Sequence, residues 1–313
     1  MRVTLIDNPG AGQGGDTPDG QALARIIRAA GHELTAISSD DPAWIEVLQR
    51  PADVVAVHGG DGTIGRVARR MAGRGVPLAA LAGGTANNIA TTLGTDALPL
   101  DEQIGAWEDA RRIPFDTCTA RGPFGERVLI EGIGTGLFAW AMQADDAKPQ
   151  TPANAPAARV AQALSMLIER VAAHPPTRVQ ARLDGNDLSG DYVVFEAMNT
   201  QFIGPHLFLA PEGHPGDGLL DVVMVTDDAR AEFREHLSSW KRGALHPPPT
   251  SWPTHRGRHL ELRWTGYPLH LDDESWPDAG APQPRTAQRI ELTVEPGTLE
   301  FLVPADHPHP PVR

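Results

Sequence analysis

The run Val54-Val55-Ala56-Val57 leads directly into His58-Gly59-Gly60-Asp61-Gly62-Thr63, and no other stretch narrows the fold as much. Four apolar residues in a row predict a strand buried on both faces, the kind found in a parallel sheet covered by helices. The glycines after it can adopt positive φ and let the backbone approach a ligand without a Cβ in the way. Residues 63–72 read as a helix, so unpaired N–H groups and the positive dipole end face the turn. This suits a nucleotide phosphate. Asp61 adds a carboxylate able to order water, a magnesium ion or a hydroxyl, which a turn kept only for its geometry does not need.

The rest of the first third repeats this alternation. Strands are expected at residues 3–7, 33–37, 53–57 and 77–81. Helices are expected at 17–30, with Thr17 as cap and Pro18 in the first turn, at about 41–50 behind Asp41-Pro42, at 63–72 and at 85–93. A parallel sheet with helices on both faces accounts for the series. After residue 119 the pattern becomes β-rich. Strands are expected at 127–131, 178–183, 192–198, 206–210, 219–225, 259–264, 289–294 and 298–303, with helices only near 157–173 and 229–242. Residues 144–156, rich in proline and alanine, read as a loop. The expected organisation is an α/β nucleotide-binding domain over residues 1–118, rejoined by 298–313, and a β-sandwich-like substrate domain over 119–297.

Charge and composition limit the function. The net charge of −13 leaves no basic footprint for nucleic acid. Only Lys148 and Lys241 are lysines, and the lysine-bearing phosphate loop is absent. Phosphate chemistry must therefore use arginine, backbone N–H groups or metal. Cys118 is the only cysteine, which excludes an intrachain disulfide and a cysteine zinc site. With no bilayer-length apolar run and too short an apolar N-terminus for a signal peptide, a cytoplasmic protein is expected.

Two further glycine-rich turns follow predicted strands: Asn8-Pro9-Gly10-Ala11-Gly12-Gln13-Gly14-Gly15 and Ala82-Gly83-Gly84-Thr85-Ala86-Asn87-Asn88. In a parallel sheet such turns collect at the carboxyl edge, where together they would build one cleft. Thr85 and Asn87 could cap the next helix or bond phosphate and ribose. Asp272-Asp273-Glu274 supplies three acids between Leu271 and Trp276. Phosphoryl transfer needs positioning, charge neutralisation and a proton acceptor. Asp61 and Asp272 form the natural pair for it, one ordering water or metal near the γ-phosphate and the other accepting the proton. Phe195, Phe202, Leu207 and Phe208 are candidates to line an apolar slot, while His58, His206, His214 and His270 are read as structural.

Asn8-Pro9-x-Ala11-Gly12, Gly59-Gly60-Asp61-Gly62-Thr63 and Gly84-Thr85-Ala86-Asn87 resemble, in this order, the diacylglycerol kinase and sphingosine kinase family, above all its soluble bacterial members. Gly204-Pro205-x-Leu207-x-Leu209-Ala210-Pro211, Asp217-Gly218-Leu219-Leu220-Asp221-Val222 and Asp272-Asp273-Glu274 extend the likeness over nearly the whole chain. The resemblance implies an ATP- and Mg2+-dependent kinase acting on a hydroxyl of a diacylglycerol-like or sphingoid lipid, through transient membrane contact. It implies Asp272 as the base, with Asp61 beside it. It implies nucleotide contacts from Asn8, Gly12, Ser39 (or Ser38), Gly59, Gly60, Asp61, Gly62, Thr63, Arg66, Gly84, Thr85, Asn87 and Glu274. It also implies a structural magnesium held by Asp217 with the main chain of His214 and Leu219. The chain departs from the family pattern at Arg66, usually Glu; at Asn88, usually Asp; at Gly83, commonly Leu; and at Asp273, usually a Gly that tolerates positive φ. A kinase relative without activity would also fit these departures. A nicotinamide-dinucleotide kinase would need an Asn-Glu pair, and Met198-Asn199-Thr200 lacks the acid.

Overall fold

The computed structural model describes residues 1–11, 19–146, 155–244, 246–249, 251–278 and 280–305, with side chains omitted for 145 and 146. The first elements are β1 (Arg2–Asp7), α1 (Gly20–Ala29), β2 (Glu33–Ser38), α2 (Trp44–Val47), β3 (Val54–Gly59), α3 (Asp61–Met71), β4 (Leu78–Ala82), α4 (Asn88–Thr92) and α5 (Leu100–Gly105). Next come β5 (Arg111–Gly122), β6 (Gly125–Leu129), β7 (Gly132–Gly136), α6 (Leu137–Asp146) and α7 (Pro156–Val171). The third group is β8 (Thr177–Val179), β9 (Ala181–Leu183), β10 (Asn186–Asp187), β11 (Gly190–Met198), β12 (Phe202–Ile203), β13 (Leu207–Phe208), β14 (Leu220–Thr226) and α8 (Arg230–Lys241). The chain closes with β15 (Thr254–Gly257), β16 (His259–Trp264), β17 (Leu269–Leu271), β18 (Glu274–Trp276) and β19 (Gln288–Val303).

β2, β1, β3 and β4 form a parallel sheet in that spatial order. Alternate residues of β3 serve two cores, as the pleat requires. Val55 and Val57 pack with Ile64, Val67 and Ile89 on one face. Val54 and Ala56 pack with Leu23, Ile27 and Ile104 on the other. Each such side chain contributes roughly 1.5–3 kcal/mol by leaving water. β19 then runs beside β4, with Phe301 opposite Leu78. Its first half pairs with β16, and β5 follows it along most of its length. The α/β and β-rich parts therefore share one sheet. A second sheet, β15-β14-β11-β7-β17-β18, packs over the shared one through Phe195, Val222, Leu260 and Ile290. α6, α7 and α8 cover its outer face.

Several local expectations are corrected. α1 is capped by Asp19, whose carboxylate accepts from the Ala22 N–H at 2.7 Å; Thr17 and Pro18 lie outside the described residues. α2 is a single turn, because Asp41 closes a local turn onto the Ala43 N–H instead of capping a long helix. α4 starts only at Asn88, and Asn87 sits in the left-handed region with φ 57° and makes no side-chain cap. Residues 178–183 divide between two sheets, as β8 pairs with β11 and β9 with β16. Pro296-Gly297 does not end a strand: β19 continues through it with a shift in register. β7, α5 and α6 were not expected. β7 reads Gly-Ile-Gly-Thr-Gly, a composition that strands usually avoid. The expected loop at 144–156 overlaps the end of α6, and residues 147–154 lie outside the described residues.

Candidate active site

The strand ends at Asp7, Gly59 and Ala82 share one edge of the parallel sheet. Their turns are tied together there. Asn8 Nδ2 donates to Thr63 Oγ1 at 2.9 Å, and the Gly83 N–H donates to the Gly59 carbonyl at 3.0 Å. A Cβ on Gly84 would lie 2.3 Å from the Gly60 Cα, and one on Gly60 would lie 3.0 Å from the Gly84 Cα. Both neighbours are main chain and have no side-chain freedom to yield. Close approach is therefore what these glycines provide; none of Gly59, Gly60, Gly62 and Gly84 has positive φ. α3 begins at Asp61 within the motif, so its positive dipole end lies in the turn itself.

These turns line a cavity of about 510 Å³ with Asn8, Gly60, Gly62, Thr63, Gly84 and Thr85 on its wall. Arg66, Arg159 and Asp273 line it too. Arg159 comes from α7, and no local motif marks it. An adjoining cavity of about 520 Å³ is lined by Asp7, Asn8, Ser38 and His58. His58 Nδ1 lies 2.7 Å from Asp7 Oδ1. Ser38 faces this space, whereas Ser39 is buried beside it and donates its N–H to the Asp7 carbonyl at 2.7 Å. Asn87 turns its Oδ1 back to the Gly84 N–H at 2.8 Å and stiffens the third turn. Gly12 lies outside the described residues.

Buried acids lie beside these turns. Asp61 Oδ1 accepts from the Ile89 N–H at 2.9 Å. Burial pushes the Asp61 carboxyl up, against hydrogen bonds from the backbone of Ile89, Asn88 and Asp61 itself. Asp272 is buried and held more completely. Its Oδ1 accepts the N–H groups of Ile130, Glu131 and Gly132 at 3.1, 2.9 and 3.0 Å. Its Oδ2 accepts from Ile130 at 3.0 Å and from Arg69 Nη1 at 2.7 Å. Burial pushes its pKa up, and these donors pull against that. The positive φ expected at Asp273 falls instead on Asp272, at 51°. The reason is position: Asp272 is the first of two residues joining β17 to β18, with Leu271 paired to Glu274. Below it, His270 Nε2 lies 2.7 Å from Glu196 Oε2. That buried pair fits only because Gly134 has no Cβ, which would sit 1.7 Å from the same carboxylate oxygen.

The remaining sequence-derived residues stand apart. Glu274 is half exposed and paired with Arg127 outside the cleft. Phe195 belongs to the sandwich core against Tyr192 and does not face an apolar slot. Leu207 is fully buried in the core under the helices. Phe202 and Phe208 stack at 4.8 Å between ring centroids, and Phe202 stacks on His206 at 5.0 Å. His206 Nδ1 lies 2.8 Å from the Ala86 carbonyl, which seats this aromatic hairpin against the third glycine turn.

Asp217 Oδ1 accepts the Leu219 N–H at 3.0 Å, while its Oδ2 is paired with Arg256. The same guanidinium reaches Asp221 at 3.3 Å. A fixed cation thus already neutralises the acid that a metal would need. Among the described residues no group of three or more His, Cys, Asp or Glu could hold a metal ion. The expected set of Asp217 with the main chain of His214 and Leu219 has a single carboxylate and is not a cluster of that kind; a magnesium there would have to displace Arg256 from Asp217. Asp116, which the sequence did not single out, anchors the turn instead, accepting the Gly218 and Gly297 N–H groups at 2.6 and 2.7 Å.

Comparison with known proteins agrees with this architecture. Residues 2–120 match the diacylglycerol kinase catalytic domain. Residues 142–303 match the YegS C-terminal NAD kinase beta sandwich-like domain. The chain belongs to the diacylglycerol kinase family. It is a kinase by that membership, with an α/β catalytic domain and a β-rich partner. A diacylglycerol kinase of Mycobacterium tuberculosis is 25% identical over 97% of this chain and 95% of its own length. A crystal structure of a diacylglycerol kinase from Bacillus anthracis superposes with a TM-score of 0.69 at 18% identity, covering 98% of both chains. Yeast NADH kinase has a TM-score of 0.54 at 11% identity, covering 96% of this chain and 82% of the other. The two structural likenesses extend to the fold alone.

Proposed function

We propose that this kinase transfers the γ-phosphoryl group of ATP to a hydroxyl of a diacylglycerol-like or sphingoid lipid. The observation that carries the proposal is the cavity lined by all three glycine turns together with Arg66, Arg159 and Asp273, the residue next to Asp272. Phosphates lie against the backbone of Gly60, Gly62, Gly84 and Thr85, with Arg66 and Arg159 supplying the charge that lysine does not. A magnesium ion carried by the nucleotide would supply further neutralisation of the phosphate charge, with Asp61 as the carboxylate able to order it. Asp272 takes the proton of the acceptor hydroxyl through Oδ2, the oxygen shared with Arg69. The oxygen then attacks the γ-phosphorus and ADP leaves with the bridging electron pair. Phe202 and Phe208 offer apolar surface to the acyl chain. The protein works in the cytoplasm and meets its lipid by transient contact with a membrane; among the described residues no helix is long and apolar enough to cross one.

The test is transfer of label from γ-labelled ATP with Mg2+ to diacylglycerol, sphingosine and nicotinamide dinucleotide, with Asp272→Asn in parallel. Label in the organic phase, lost in the variant, supports the proposal. Label on the dinucleotide alone overturns the acceptor, and nucleotide binding without transfer to any of the three sinks the kinase activity.

A further inference from the structure

Glu196 and His270 form a buried acid–imidazole pair that the mechanism above does not use. Glu196 stands on β11 and His270 on β17, and both lie opposite Gly134 of β7, the strand between them. With no Cβ at that glycine, the two side chains meet across β7, Nε2 to Oε2 at 2.7 Å. Both residues are buried, and Glu196 Oε1 has no hydrogen-bond partner among the described residues. The other ring nitrogen, Nδ1, lies 3.2 Å from the main-chain carbonyl of Asp272. A carbonyl only accepts, so Nδ1 carries a hydrogen. Nε2 and Oε2 then share one further proton, and the pair is neutral whichever of the two holds it. Burial works to lower the imidazolium, but Glu196 and Asp272 outweigh it and leave the histidine raised. Burial raises the Glu196 carboxyl, with His270 pulling against that. Both shifts keep the shared proton in the pair.

The Asp272 main chain needs support of this kind. Its φ of 51° is a conformation that residues with a Cβ seldom adopt. Its N–H is fixed by the Gly132 carbonyl at 2.9 Å, and its own carbonyl by His270. Held at both ends, the residue presents its carboxylate to the N–H groups of Ile130, Glu131 and Gly132. We propose that Glu196 and His270 are positioning residues for the base Asp272. Glu196 partners Nε2 so that the ring hydrogen stays on Nδ1, and Nδ1 holds the Asp272 backbone in the turn that aims the carboxylate. The inference rests on the part given to Asp272 in the reading above and not on which lipid is phosphorylated.

The experiment compares wild type, Glu196→Gln, Glu196→Leu and the double variant Glu196→Leu with His270→Phe, each first checked for cooperative melting. Label transfer gives kcat and the KM for ATP, and amide exchange reports the N–H groups of residues 130–132. An amide at position 196 can still donate to Nε2, so Glu196→Gln should keep kcat within about threefold. The double variant replaces the pair by apolar groups of similar size and should melt near wild type. Its kcat should still fall about ten- to 100-fold, with the KM for ATP within about twofold. Its amides at 130–132 should exchange at least about tenfold faster. A pair that only stabilises the fold would leave the double variant both stable and fully active. That result overturns the inference, as does a loss of kcat in Glu196→Gln equal to that of the double variant. If the double variant does not melt cooperatively, Glu196→Leu alone, in which the ring hydrogen is free to move to Nε2, carries the same expectations and the same failures. If wild type transfers label to no acceptor, the kinase reading fails and exchange alone decides: equal protection at 130–132 in wild type and variant overturns the inference.

Discussion

The glycine cradle and the acid wall around Asp272 adjoin, with Asp273 on the cavity lining against Gly62, and are built in opposite ways. The cradle is assembled from short turns whose partners are main chain, such as Gly60 against Gly84, or a side chain in a neighbouring turn, such as Asn8 on Thr63. It holds no buried charge apart from Asp61 at its edge. The acid wall gathers Asp272, Arg69, Glu131 and the N–H groups of residues 130–132 from three distant parts of the chain. There every charge is desolvated and depends on its neighbours. The cradle should therefore respond to changes in volume, and the acid wall to changes in charge that hardly alter volume.

The largest effect is expected at Asp272. Asp272→Asn keeps the size but places an amide among backbone donors and leaves Arg69 only the longer contact to Asp273 at 4.0 Å. Label transfer should fall at least about 100-fold, with a loss of roughly 3–5 kcal/mol in urea unfolding. A stable variant with near-normal rate would erase the contrast between the two walls. Next is a pH effect on the same β-rich part. Burial raises the Asp221 carboxyl to about 6, with Arg256 pulling it down and Asp217 pushing it up. An acid whose folded pKa is raised stabilises the fold while protonated. That stability is present below the unfolded value near 3.9 and is lost as pH rises toward 6. It amounts to at most about 3 kcal/mol. Urea midpoints at pH 4 and 6.5 should show wild type losing more stability over this window than Asp221→Asn.

The cradle offers the volume test. Gly84→Ala drives a Cβ against the Gly60 backbone and should cost about 1–3 kcal/mol, with loss of ATP binding by calorimetry. If ATP binds normally, the turns do not need their close approach. The smallest effect is expected from Arg66→Ala. The side chain lies on the cavity wall, and ATP affinity should weaken by up to about tenfold with little change in melting temperature. A larger drop would make the cradle, too, depend on charge.

The parts of the fold legible in sequence are those in which neighbours along the chain decide the outcome. β3 and its turn were readable because four apolar residues meet glycine, and burial on both faces leaves no other use for such a run. The convergence of three glycine turns followed from the parallel sheet. β7 was hidden because Gly132, Gly134 and Gly136 look like a loop until β11 and Glu196 are packed against them. A Gly-x-Gly-x-Gly alternation after a strand was the signal available. The break expected at Pro296-Gly297 became a bulge because β5 continues alongside.

The sequence by itself determined the α/β first part, the phosphate-suited turns, the scarcity of lysine and the family resemblance. These follow from local pattern, composition and short spacing. Tertiary structure alone decided that Arg159 and Arg66 share a cavity, that Arg256 sits on Asp217, that Asp272 is bound by five contacts, and that Glu131 meets Asn88. Each is a pairing of charged or polar groups far apart in the chain. Which partner a charge finds depends on how the sheets are packed, and no local period in the sequence records that.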